Sequence, residues 1–284
     1  MARVSISAVW DRTTEFMSER ASAVLAVAAP VIAATLFAGE LGQRLFATTP
    51  GMGPGMSGLV PVLLQLPLLW AQLQVMALAI DPAVTPAEAV QRATNRLGAA
   101  LLLWLVLLAV VIAAMLPVVA LVLASGLPLD RLATLGPNPP PEAIQALIPP
   151  SAAPALLFAL LYLMAAAVVI WVLYLRWGLV YVVTLVEAIG LPALGRSWRL
   201  TRGMTLALLG VSLLYALVAV VAALAAQTVV GTLLGLIFGR DGGLGVAGLG
   251  SALVSALVGA VMTVLATGFL AKFYLAARRA EDLG

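Results

Sequence analysis

The sequence predicts an all-α membrane bundle of about six transmembrane helices, and three observations carry that prediction. Charged residues make up 10% of the 284, against about 25% in soluble domains, which is too few to cover a water-facing surface. Apolar residues make up 63%, and the mean hydropathy is +1.14. Several apolar runs reach the roughly 20 residues that a helix needs to cross a hydrocarbon core. The whole chain, residues 1–284, reads as one integral membrane domain.

The elements follow in order. In "VSISAVWDRTTEFMSER", Ile6, Val9, Trp10, Thr13, Phe16 and Met17 fall on one helical face, with Arg3, Asp11, Arg12, Glu15 and Glu19 off it. This predicts an amphipathic helix over 5–20, either lying in the membrane interface or packed on the protein itself. Acidic Asp11, Glu15 and Glu19 do not suit the basic start of a signal peptide, so the first apolar run, 21–38, is read as an uncleaved span. The Gly/Pro/Thr-rich stretch after it reads as a loop, and span 2 follows at 58–80.

Thr85-Pro86-Ala87-Glu88 is a capping-box pattern with Pro at the first helical position. It predicts a short surface helix over 86–97, carrying Arg92 and Arg96. Span 3 is placed at 98–124, ahead of a long Pro-rich loop with a helical turn near Glu142–Leu147. Spans 4, 5 and 6 are placed at 153–183, 204–236 and 247–275. The apolar runs 153–186 and 204–238 would each measure roughly 50 Å as a helix, against about 30 Å of hydrocarbon. Each therefore protrudes, tilts, or hides a break.

Six spans put both termini on one side. That side collects Arg3, Arg12, Arg20, Arg92, Arg96, Arg176, Arg196, Arg199, Arg202, Lys272, Arg278 and Arg279, leaving Arg44, Arg131 and Arg240 for the other. By the positive-inside rule the basic side, with both termini, is cytoplasmic. An Arg-, Ala- and Leu-rich composition suits a GC-rich bacterial genome and hence the bacterial inner membrane. Arginine followed by small residues begins three apolar stretches, at Arg20, Arg96 and Arg202, a pattern that a weak threefold repeat would leave.

The chain has no Cys and no His. Thiolate or imidazole metal sites, cysteine nucleophiles and histidine general bases are thereby excluded. No metal, cofactor or nucleic-acid partner is expected, and the chain reads as non-enzymatic. Three groups of residues remain as candidates. The first is cationic and aromatic: "ALGRSWRLTRG" reads as a helix after Pro192 with Arg196, Arg199 and Arg202 beside an arc of Leu191, Leu194, Trp198 and Thr201. Together with Arg92, Arg96 and Arg176 these residues either mark topology or contact lipid headgroups. Guanidinium binds phosphate bidentately, and a cation near an anionic leaflet contributes about 1 kcal/mol. The second group is Gln65, Gln72 and Gln227, polar residues inside spans that either line a cavity or bond between helices. The third is a set of small residues, Gly231, Gly235 and Gly239 in span 5 and Ser251, Ser255 and Gly259 in span 6, spaced by four. They permit close helix packing, within the chain or in a homo-oligomer.

The segment "EAIGLPALGRSWRLTRG", preceded by "RWGLVYVVTLV", resembles a stretch of the YciC-like bacterial inner-membrane proteins and of the membrane domain of some glycerophosphodiester phosphodiesterases. "VSISAVWDRTTEF", "AIDPAVTPAEAVQRATNRL" and "LAKFYLAAR" extend the likeness along the chain in order. The resemblance implies a six-helix membrane bundle with a cytoplasmic amphipathic start, and it implies no phosphodiesterase activity. The functional expectation is a membrane protein associated with anionic phospholipid, in maintenance or as a scaffold. The alternatives are a carrier or channel for a small or amphipathic molecule, or an accessory subunit of a membrane complex.

Overall fold

A chain this apolar must satisfy its backbone hydrogen bonds internally, and helices do that within a single segment. The computed structural model describes residues 4–48, 54–134, 140–239 and 245–283, and every regular element among them is helical. Arg3 and Arg240 lie outside the described residues. In order the helices are α1 (Ile6–Glu19), α2 (Ala21–Val27), α3 (Ala29–Thr48), α4 (Pro54–Ile80), α5 (Pro86–Ala124), α6 (Leu129–Thr134) and α7 (Pro141–Leu147). A 3-10 turn at Pro150–Ala152 leads into α8 (Ala153–Trp177), followed by α9 (Val180–Glu187), α10 (Ala193–Leu200), α11 (Thr205–Phe238) and α12 (Val246–Asp282). Among the described residues five helical stretches are long and apolar enough to cross a membrane, or six if α2 and α3 form one span bent by 51°. The fold is all-α, with the helices of a membrane-embedded protein.

Four boundaries differ from those the sequence predicts, each for a local reason. Pro30 has no amide hydrogen and crowds the preceding turn, so span 1 bends at Ala28, between α2 and α3. The loop expected after residue 38 is helical to Thr48, and helix resumes at Pro54. The capping box is present, with Thr85 N–H donating to Glu88 Oε2 at 2.9 Å and Glu88 N–H to Thr85 Oγ1 at 3.3 Å. It starts a helix that continues without a break into span 3, because Gly98 alone does not stop a helix whose neighbours are all good formers. Of the two over-long runs, the first breaks at a turn over 178–179, whereas α11 is unbroken over 34 residues. The Arg20 and Arg202 positions each lie between two helices and Arg96 lies inside one, so the second unit of the threefold pattern has no joint.

Two compact units divide the chain: Met1–Leu103 with Leu175–Gly284, and Trp104–Tyr174. In the second unit, Tyr162 OH donates to the Ala114 carbonyl at 3.0 Å and ties the α8 segment to the α5 segment. The first unit is built around α12, which packs on α1, α3, α4, α9, α10 and α11. Ala252, Ala256, Ala260 and Val264, spaced by four, are all buried. Van der Waals contact is the main packing force between helices in lipid, and small side chains bring the backbones close. Tyr274, Phe273, Leu73, Leu78, Ile32 and Val9 fill the wider end of this core.

Four of the predicted small residues, Gly231, Ser251, Ser255 and Gly259, meet neighbours within the chain. A Cβ on Gly231 would meet Ser251 Cβ at 3.9 Å, and one on Gly259 would come within 3.0 Å of Leu36 Cδ1 on α3. Ser251 and Ser255 thus face α11 while Gly259 faces α3. Gly235 is half-buried on α11. Gly239 is no packing residue: it ends α11 with φ +82°, a left-handed conformation that glycine adopts at little cost.

Candidate functional site

The basic residues gather where α8 ends, α9 and α10 follow, and α12 finishes. The turn at 178–179 interrupts the helical hydrogen-bond ladder and leaves carbonyls at the end of α8 without helical partners. Ser197 Oγ donates to the Arg176 carbonyl at 2.8 Å, while Thr201 Oγ1 donates to the Ser197 carbonyl at 2.9 Å and lies 3.2 Å from the Arg176 carbonyl. These two hydroxyl residues are fully buried, as is Ala193, and Leu200 is nearly so. The buried face of α10 therefore consists of Ala193, Ser197, Leu200 and Thr201. Of the expected apolar arc, only Thr201 is on it: Leu191 is 46% exposed and Trp198 40%. Hydrogen bonding to the end of α8 fixes the buried side of α10 and leaves Trp198 facing outward.

Trp198 is turned outward and carries the Arg176 guanidinium over its ring, 5.0 Å from the centroid. Trp177 lies on the other flank, its ring centroid 6.5 Å away. Arg176 Nε and Nη1 are shielded from solvent and have no hydrogen-bond partner among the described residues. Arg199 and Arg202 are exposed, and neither makes an ion pair among the described residues.

Arg196 is different. Its Nε donates to both oxygens of Glu187 at 3.1 and 3.2 Å, and Nη1 and Nη2 make a bidentate pair with Glu281, both at 2.6 Å. Tyr274 OH donates to Glu187 Oε1 at 2.9 Å. The Glu281 hydrogen bonds, opposed in part by burial and supported by Glu187, raise the Arg196 pKa above the already high arginine value. A guanidinium whose fork is filled by two carboxylates has no donor face left for a phosphate. Arg196 is thus corrected from headgroup contact to structural tie, joining α9 and α10 to α12. Nothing in the sequence pairs Arg196 with Glu187 or Glu281, which stand 9 and 85 residues from it.

The other candidates are dispersed. Arg92 lies 3.7 Å from Asp81, with both side chains about half exposed (51% and 42%), a surface pair of little energetic weight. Arg96 is half-buried on α5, away from α10 in sequence. Gln65 and Gln72 are half-buried on α4. Gln227 is exposed on α11, where its Nε2 donates to Ser255 Oγ at 2.7 Å, so it bonds two helices together and shares no lining with the α4 glutamines. The buried amide is Gln74, fully inaccessible on α4, with neither Oε1 nor Nε2 bonded to the described protein. No group of three or more His, Cys, Asp or Glu residues among those described is arranged to hold a metal ion. Compared with family models, curated proteins and solved structures, the chain matches none of them.

Proposed function

We propose that this chain is a non-enzymatic bacterial inner-membrane protein that holds anionic phospholipid at a cytoplasmic basic end, in membrane maintenance or as a scaffold. The observation that supports this reading is the Arg176–Trp198 pair beside exposed Arg199 and Arg202. Two guanidinium N–H groups without protein partners lie next to an outward-facing indole. Indole suits the level where headgroups meet acyl chains, and guanidinium suits phosphate oxygens. The charge asymmetry along the chain supports the orientation with both termini inside.

The test is lipid retention by the purified protein in native mass spectrometry. Arg176→Gln with Arg199→Gln and Arg202→Gln is expected to reduce retained phosphatidylglycerol or cardiolipin at least several-fold while leaving phosphatidylethanolamine unchanged. Equal retention of the anionic lipids in wild type and variant would sink the reading.

A second reading, a carrier or channel for a small or amphipathic molecule, draws support from Gln74. A fully buried amide without protein partners is costly in a membrane core and is found where a polar passenger or pathway supplies the bonds. Gln74→Leu separates the two readings: a pathway residue loses flux in a liposome assay, while lipid retention stays at the wild-type level. The accessory-subunit reading has less support, since the small residues offered for it are used within the chain.

A further inference from the structure

We infer that the cleft between α1 and α12 is a second anion site, built for a single phosphate group and separate from the α10 patch. The cleft holds about 280 Å³ and is lined by Arg12 and Glu15 of α1, Lys272, Leu275 and Arg279 of α12, and Pro82 of the α4–α5 turn. It lies at the lower edge of the roughly 300–1,000 Å³ range of small-molecule pockets, so it accommodates a headgroup or a free anion rather than a whole lipid.

Three cations line the cleft against Glu15, with Glu19 of α1 also acting on Lys272, an excess of one positive charge. Among the described residues none of the three makes an ion pair or a side-chain hydrogen bond. Lys272 and Arg279 stand seven residues apart, two turns up the same side of α12, and Arg12 faces them from α1. Arg12 and Arg279 repel the Lys272 ammonium, Glu15 and Glu19 offset that only in part, and a bound anion reduces the remaining cost. Lys272 is held in place from behind: its Nζ lies 5.4 Å from the ring centroid of Phe16, which is itself 3% exposed. That ring is seated against Gly268, where a Cβ would approach Phe16 Cε1 to 3.2 Å, so the ammonium is positioned by a rigid part of the core.

Guanidinium groups from two helices with a lysine point charge between them match the oxygens of a phosphate mono- or diester. Glu15 adds an acceptor for a protonated phosphate oxygen or a neighbouring hydroxyl, which favours phosphate over sulfate. The phosphate comes either from a lipid headgroup or from free phosphate.

The experiment uses the full-length protein in nanodiscs, as wild type, as Arg12→Gln/Arg279→Gln, as Lys272→Gln, and as Arg199→Gln/Arg202→Gln. Inorganic phosphate is titrated calorimetrically in zwitterionic nanodiscs, and retained phosphatidylglycerol is measured after reconstitution in mixed lipid. Saturable phosphate binding in the zwitterionic bilayer, weakened at least tenfold by Arg12→Gln/Arg279→Gln, assigns the site to free phosphate. One fewer phosphatidylglycerol retained per protein in that variant than in wild type, without binding of inorganic phosphate, assigns it to a headgroup. In either case Arg199→Gln/Arg202→Gln retains binding at this cleft, which separates the inference from the α10 reading. Binding of neither probe, or binding unchanged in both the Arg12/Arg279 and the Lys272 variants, overturns it. Arg12 and Arg279 are exposed, so these variants fold, and circular dichroism checks that they do.

Discussion

Helices α1 and α10 are both short, amphipathic and placed at the basic end, and they settle against the protein in opposite ways. α1 buries the face that its hydrophobic spacing marks: Val9, Thr13 and Phe16 are covered, and Trp10 lies 6.2 Å from the Phe269 ring. α10 buries the hydroxyls of Ser197 and Thr201 beside Ala193 and Leu200, and the tryptophans of both helices stay on the outside, Trp10 43% and Trp198 40% exposed. The difference lies in what each helix meets. α1 meets the flank of α12, where Gly268 opens a recess for Phe16 and apolar packing decides the orientation. α10 meets the open end of α8, where an unbonded carbonyl decides it. Leaving such a group unpaired costs about 1–3 kcal/mol, comparable to the gain from turning a half-exposed Trp inward.

The comparison can be broken at its strongest point first. Phe16→Ala is expected to destabilise the protein by about 3 kcal/mol, the usual cost of emptying an aromatic site in a packed core. A loss under about 1 kcal/mol in thermal or chemical unfolding in detergent would mean that α1 is not docked through this face. Arg196→Gln comes next, at about 2–3 kcal/mol, because Glu187 and Glu281 then lose their shared partner in a partly shielded place. Adding Glu187→Gln and Glu281→Gln to that variant is expected to recover much of the loss. If the triple variant is no more stable than the single one, the cation was not offsetting carboxylate repulsion. Ser197→Ala is expected to cost about 1 kcal/mol through the bared Arg176 carbonyl, while Ser18→Ala on the exposed side of α1 costs nothing measurable in the same assay. Trp198→Ala is the smallest in stability, about 0.5–1 kcal/mol from the lost cation–π contact. It is nonetheless expected to lower anionic-lipid retention several-fold, a split that a purely structural tryptophan would not produce.

Much of the fold was legible because its signals are local. Length and apolarity marked the spans, spacing marked the buried face of α1, the Thr85–Glu88 pair marked the start of α5, and Pro192 the start of α10. What escaped depended on distant partners. That Arg196 is a tie needed Glu281, 85 residues away, and that Ser197 is buried needed the Arg176 carbonyl at the end of α8. Gln74 and Gln72 are alike by sequence, and only the neighbouring helices bury one and leave the other partly open. The cleft between α1 and α12 is hidden for the same reason: nothing in the sequence places Arg12 and Arg279 at one site.

The central position of α12 also has a consequence for biosynthesis. It follows in the chain every helix on which it packs. At about 5–20 residues per second, roughly ten seconds to a minute separate the emergence of α1 from that of its partner. For that interval Val9, Phe16 and Trp10 have no protein to cover them, and the membrane surface is the apolar medium at hand. The interfacial position that the sequence suggested for α1 is then expected as a waiting state on the way to the finished molecule. A nascent chain arrested before residue 246 should leave an environment-sensitive fluorophore at position 16, which is 3% exposed in the finished structure, in contact with lipid, and release of the full chain should remove it. An unchanged signal between the two would mean that α1 never waits there.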